Sequence, residues 1–141
     1  MQARQIYVLT AVQIIGVGIL AWLLITWKTP WNAQRYIGTV LVVVGMSCIA
    51  TARYQLGKSF SIKAEARVLV TTGLYSKIRN PIYVFGMVTL IGLTLVLQSR
   101  ALWILLIIVA IGQTVRARKE ARVLEAAFGE AYREYRRKTW F

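Results

Sequence analysis

The side chains able to do chemistry in this chain fall in two polar blocks. One runs from Arg67 to Gly86, carries Tyr75, and contains Arg79-Asn80-Pro81-Ile82-Tyr83. The other opens with Arg116-Ala117-Arg118-Lys119-Glu120. Between them they offer guanidinium groups, a carboxylate, an amide and two phenols. What is missing narrows the chemistry. The chain has no His, and its five acidic residues are all Glu. The commonest general base is therefore absent. Cys48 is the single cysteine, so neither an intrachain disulfide nor a thiolate cluster can form. A conventional zinc site needs three or four convergent Cys, His or carboxylate ligands and is nearly excluded, so no metal site is expected. Such residues suit the gripping of a charged, polar ligand better than base or metal chemistry.

These groups must be positioned by something apolar. Hydrophobic residues make up 57% of the 141 residues, with a mean hydropathy of +0.56. They are clustered, which predicts an all-α integral membrane protein in one domain, residues 1–141. Four transmembrane helices are expected over about 6–27, 36–52, 81–98 and 101–115, set against the ~20 residues a bilayer core demands. The first run is too long for a signal peptide and lacks a small-residue cleavage site, so it reads as a retained helix. Trp22, Trp27 and Trp31 suit an interfacial belt. Gly16 and Gly18 suit close helix approach. Residues 67–72 favour a short extended segment ended by a turn at Gly73. Pro81 suits the first turn of the third helix. The tail, 116–141, reads as a C-terminal amphipathic helix. Leu124, Phe128, Ala131 and Tyr135 fall at helical spacing, and Gly129 is placed to break it.

Net charge is +13. The basic residues flank apolar runs, which points to anionic lipid headgroups and away from nucleic acid. The loop 53–80 holds six Lys or Arg, and the tail holds more. The turns 28–35 and 98–100 hold two and one. That asymmetry puts the loop, the tail and both termini in the cytoplasm, at the inner or plasma membrane if the cell is prokaryotic. A hairpin of the third and fourth helices then brings Asn80, Tyr83 and Glu120 to one cavity at the cytoplasmic surface.

Three blocks resemble the isoprenylcysteine carboxyl methyltransferase family of integral membrane methyltransferases. The first is Leu56-Gly57-Lys58-Ser59-Phe60-Ser61. The second is Leu69-Val70-Thr71-Thr72-Gly73-Leu74-Tyr75 leading to Arg79-Asn80-Pro81-Ile82-Tyr83. The third is Arg116-x-Arg118-x-Glu120, then Leu124, then Phe128-Gly129-Glu130-x-Tyr132-x-x-Tyr135. The chain departs from the family pattern at four positions. Asn80 stands for a usual His, Leu74 for a Pro, Ala121 for a second Glu, and Gly86 lies one residue late. The resemblance implies a cytoplasmic cofactor-binding loop, S-adenosylmethionine as cofactor, and a lipophilic substrate drawn from the bilayer. That substrate is a carboxylate such as isoprenylcysteine, or a lipid amine or thiol. It implies cofactor contacts from Leu69, Val70, Gly73, Tyr75, Asn80, Pro81, Tyr83 and Glu120. It implies that Arg79 and Arg116 touch a carboxylate of substrate or cofactor.

The residue chemistry agrees with that cofactor. A carboxylate can pair with its ammonium, and an arginine can hold its carboxylate in bidentate fashion. A tyrosine ring can stack on adenine or face the sulfonium. Other readings stand beside these. Tyr75 and Tyr83 could be interfacial anchors, and Glu120 an i, i+4 partner of Arg116. Arg122, Arg133, Arg136 and Arg137 suit lipid headgroups, while Glu65 and Glu125 suit solvent. A non-enzymatic membrane scaffold, as a degenerate member of that family, and a small four-helix transporter remain as alternative functions. The transporter needs an ionisable group inside the membrane, and all four apolar runs lack acids.

Overall fold

The computed structural model describes the backbone of residues 2–56 and 69–141, with the side chains of these residues except 2–10, 12 and 13. The first resemblance block beyond Leu56, Glu65, and the start of the expected extended segment lie outside the described residues.

Among the described residues five α-helices follow in order: α1 Gln2–Thr26, α2 Ala33–Leu56, α3 Pro81–Leu97, α4 Arg100–Phe128 and α5 Glu130–Lys138. A short 3-10 turn, Gly73–Ser76, precedes α3. Among the described residues, Ala33–Leu56 and Arg100–Phe128 are long and apolar enough to cross a membrane, and Pro81–Leu97 is a shorter apolar helix. At 1.5 Å per residue α3 is about 26 Å long and α4 about 44 Å. The hydrocarbon core measures about 30 Å, so α4 has length to spare for a polar extension.

The helices begin and end where side-chain chemistry dictates. α2 reaches beyond 36–52 at both ends, because Ala33 to Arg35 and Arg53 to Leu56 continue the same hydrogen-bonded turns. Gln98 takes a left-handed backbone, φ 51°, and its N–H closes α3 on Thr94 O. Gly129, φ 52°, separates α4 from α5. That break resets the helical phase. The buried stripe of the tail is therefore Tyr132 and Tyr135, while Ala131, expected on the apolar face, is exposed.

α2 and α3 approach closely because glycines meet. A Cβ built on Gly92 would lie 2.6 Å from Gly38 O, and one on Gly45 would lie 2.3 Å from Thr89 Oγ1. Gly16 likewise faces Met46, whereas nothing among the described residues lies against Gly18. The close approach expected at Gly18 is thus not seen among the described residues.

The two helix-connecting turns are tied together at the far end. Thr29 Oγ1 donates to Val96 O at 3.2 Å, and Gln98 Nε2 donates to Pro30 O at 3.3 Å. Arg35 corrects the sequence reading most plainly. It was expected in a surface turn, but it belongs to α2 and is 1% exposed. Its guanidinium donates to Thr29 O and, at 2.7 Å, to Leu24 O, and it lies 4.3 Å from the centre of the Trp31 ring. The last carbonyls of a helix have no partner within the helix and attract cations. Arg35 serves Leu24 O at the end of α1 and Thr29 O in the turn, while its Nε has no hydrogen-bond partner among the described residues.

Candidate active site

Tyr83 and Glu120 meet across the α3–α4 hairpin. Tyr83 Oη donates to Glu120 Oε1 at 2.5 Å. From the hairpin tip, Tyr83 lies about 21 Å back along α3 and Glu120 about 30 Å along α4, at 1.5 Å per residue. The backbone positions are thus offset by nearly two turns. Helical side chains tilt toward their own N-terminus. On antiparallel helices the tyrosine leans outward and the glutamate leans back, and a long phenol closes the gap. Glu120 therefore bonds across to α3 rather than back along α4 to Arg116. Arg116 is exposed, and its charge acts on the Tyr83 phenol.

Tyr75 brings the loop into the same cluster. It is 7% exposed. Burial raises its phenol well above the ordinary tyrosine range, the nearby Tyr135 and Glu120 raise it further, and Arg53 opposes them. The ring therefore stays neutral and sits among Glu120, Tyr83 and Arg53.

Two contacts fix the turn that carries Tyr75. Leu74 N donates to Gln55 Oε1 at 2.7 Å, pinning the turn to the end of α2. Gly73 makes that approach possible. Its φ is +62°, and a Cβ there would lie 2.4 Å from the Gln55 amide atoms. On the other side Tyr135 Oη donates to Tyr75 O at 2.6 Å in a buried bond. The tail then runs alongside residues 77–80. Trp140 N donates to Lys77 O at 3.0 Å, Arg79 N to Trp140 O at 3.1 Å, and Asn80 N to Phe141 O at 3.1 Å. This pairs Ile78 with Trp140 in a single parallel bridge.

Asn80 precedes α3 with φ −123°, and its side chain makes no capping bond. Its carbonyl receives Tyr83 N and Val84 N at 3.0 and 3.1 Å, so the amide is not consumed by the helix start. Pro81 is fully buried as the first helical residue. Arg79 turns toward the tail. Burial raises the Tyr132 phenol, and the Arg79 and Arg136 charges draw it back. Arg79 Nε is buried without a hydrogen-bond partner among the described residues.

Of the expected site residues, the structure gathers Tyr75, Tyr83, Arg116 and Glu120 in one cluster. Asn80 and Pro81 stand at its edge, and Arg79 lies between it and the tail. Gly73 holds the turn. Leu69 and Val70 are half-buried coil leading into that turn. Sequence reasoning missed Gln55, Arg53 and the hydroxyl of Tyr135. The polar end of an otherwise apolar α2 was the available signal for the first two. The tail arginines are only partly free for lipid. Arg133 bonds Glu125 at 2.8 Å and Glu130 at 3.3 Å, and its hydrogen bond holds the Glu125 carboxyl below the usual range.

The donor set fits the cofactor that the sequence suggested. Glu120 uses one oxygen for Tyr83, which leaves the other to face an ammonium. Arg116 and the unsatisfied Nε of Arg79 suit a carboxylate. Apolar helices converging on such a cluster suit a membrane protein with a polar site at the end of its bundle. The profile of the phospholipid methyltransferase family matches residues 33–131, and the chain belongs to that family. It is accordingly a membrane enzyme that uses S-adenosylmethionine as methyl donor. Both polar blocks lie in the matched span. The family differs from the isoprenylcysteine enzymes first suggested, but belongs with them to one superfamily of membrane methyltransferases. Family membership favours the enzyme over the transporter reading. No curated protein is significantly similar to the chain.

Proposed function

We propose that this enzyme methylates the headgroup amine of a phospholipid at the Tyr75–Tyr83–Glu120 cluster. Four helices, α1 to α4, span the bilayer, and the cluster faces the cytoplasm. The Tyr83–Glu120 bond carries this reading, because it fixes a carboxylate beside two aromatic rings where the bundle meets water. Family membership supplies the acceptor class.

S-adenosylmethionine supplies an activated methyl on a sulfonium. Glu120 would pair with its ammonium while remaining bonded to Tyr83. Arg116, with Arg79, would hold its carboxylate. Tyr75, neutral and buried, offers an aromatic face to adenine or sulfonium. Asn80 contributes an amide at the edge. The protein's share of the work is to orient, desolvate and hold. A carboxylate or thiolate acceptor would be ionised already and need no base. An amine differs, since it must reach the site without its extra proton.

Full-length protein in liposomes containing phosphatidylethanolamine, given methyl-labelled cofactor, should place label in the phospholipid fraction. Glu120→Gln should weaken cofactor binding by about 10- to 100-fold, the worth of a hydrogen bond to a charged group. Label found only in isoprenylcysteine or a lipophilic thiol, with cofactor bound and phospholipid unlabelled, would sink the acceptor assignment.

A further inference from the structure

A cavity of about 320 Å³ opens between α1, α2 and α3. Its walls include Leu20 and Leu23 from α1, Met46 and Ile49 from α2, and Leu93 from α3, with Arg53 at one end. Thr89 also lines it, but its hydroxyl already donates to Phe85 O at 2.8 Å. The position of Arg53 is unusual. It follows directly on the uncharged run 36–52, and its Nε is buried with no hydrogen-bond partner among the described residues. Its charge also acts on Tyr75. One guanidinium thus closes an apolar slot on one side and faces the polar cluster on the other.

We infer that the cavity holds an acyl chain of the acceptor phospholipid and that Arg53 binds its phosphate. This rests on the proposed function and adds to it the residue that recognises the acceptor. Three observations converge on one occupant. The slot runs along α2 from Val42 to Arg53, about 16 Å at 1.5 Å per residue, so it suits a chain rather than a compact ligand. A buried guanidinium nitrogen without a partner is costly and calls for an anion. A phosphodiester meets a guanidinium with paired hydrogen bonds. The headgroup that follows the phosphate then reaches Tyr75 and its neighbours. Arg53 is a specificity-determining residue in this scheme: it selects lipids carrying a phosphate next to the amine.

The test uses full-length protein in liposomes with two photoreactive lipids bearing the same diazirine acyl chain. One is phosphatidylethanolamine and the other is diacylglycerol. The phospholipid should label peptides containing Leu20–Leu23 and Met46–Ile49, and Arg53→Gln should lower that labelling about tenfold or more. Diacylglycerol labelling should be weak and unchanged by the substitution. Label spread over the exposed face of α4, or indifferent to Arg53, would overturn the inference. A turnover arm separates it from the reading beneath. Arg53→Gln should raise the apparent KM for phosphatidylethanolamine about tenfold, and leave that for a long-chain alkylamine unchanged. Equal loss on both acceptors, or loss of cofactor binding by calorimetry, would make Arg53 a structural or cofactor residue and overturn the inference. Correct labelling without methylation of any phospholipid would sink the proposed function and leave the lipid site standing. Methylation with Arg53-independent labelling would do the reverse.

Discussion

At the scale of single residues, the pairing of Tyr83 with Glu120 separates two effects that mutation can tell apart. Tyr83→Phe keeps the ring and removes the donor, so Glu120 keeps its charge and loses its anchor. Cofactor affinity should fall by less than in Glu120→Gln, and equilibrium binding of the two variants checks the order. A larger loss in Tyr83→Phe would mean that the phenol touches the ligand directly. The missing His and Asp bear on acid–base behaviour. A primary ammonium of lysine type has a pKa near ~10.4, so at neutral pH only a small fraction of the acceptor carries a lone pair. Without a dedicated base near neutrality, the rate should climb about tenfold per pH unit between about pH 7 and 9, following the neutral amine. A plateau already near pH 7 would reveal a base inside the site. The residues that made this argument possible were legible in the sequence because their types are rare in apolar surroundings. Arg53 and Gln55 were not, because an arginine ending an apolar run looks like any membrane-border charge until its neighbours are seen.

Elements decide whether those residues face each other. The turn Gly73–Ser76 has little structure of its own and is held by Gln55 from α2 and Tyr135 from α5. Tyr135→Phe would leave the Tyr75 carbonyl buried without its partner, a loss of about 1–3 kcal/mol. Tail docking should weaken while α2 and α3 stay packed. Protease nicking between α4 and α5, faster in the variant than in the parent, checks this. The same bond predicts a pH dependence. Burial, with Tyr132 beside it, raises the Tyr135 phenol from 10.0 to about 12. A raised folded value means the bond contributes fully below pH 10 and is lost as pH rises toward about 12. Tail release in that window should appear as phenolate absorbance together with a change in Trp140 fluorescence. Element boundaries were only partly legible. Apolar runs locate where a helix meets lipid, but α2 and α4 continue as helices beyond that limit. The tail register was misread because Gly129 shifts the phase, and spacing counted through a break puts Ala131 where Tyr132 belongs.

The whole molecule depends on how tightly α2 and α3 are held, since α2 carries Arg53 and Gln55 while α3 carries Tyr83. Their contact rests on Gly38 and Gly92, whose backbones come so near that a Cβ on Gly92 would lie 2.6 Å from Gly38 O and 2.8 Å from Val42 N. Those neighbours are backbone and cannot turn aside. In a membrane, where lipid tails are as apolar as the helices, close contact of small residues supplies much of the association. Gly92→Ala should therefore push the helices apart at a cost of about 1–3 kcal/mol or more. The cost should fall on the lipid cavity and on the Tyr75 turn together, because both lean on α2. Gly112, with nothing within 4 Å among the described residues, provides the contrast, and Gly112→Ala should stay within about 1 kcal/mol of the parent. Cys48, the lone and half-buried thiol on α2, reports the difference. Its reaction with a fluorogenic maleimide during heating in detergent should begin at a lower temperature in Gly92→Ala, and at the parental temperature in Gly112→Ala. Equal behaviour of the two variants would mean that the glycine contact does not hold the bundle, and the alignment of Arg53 with Tyr83 would need another cause.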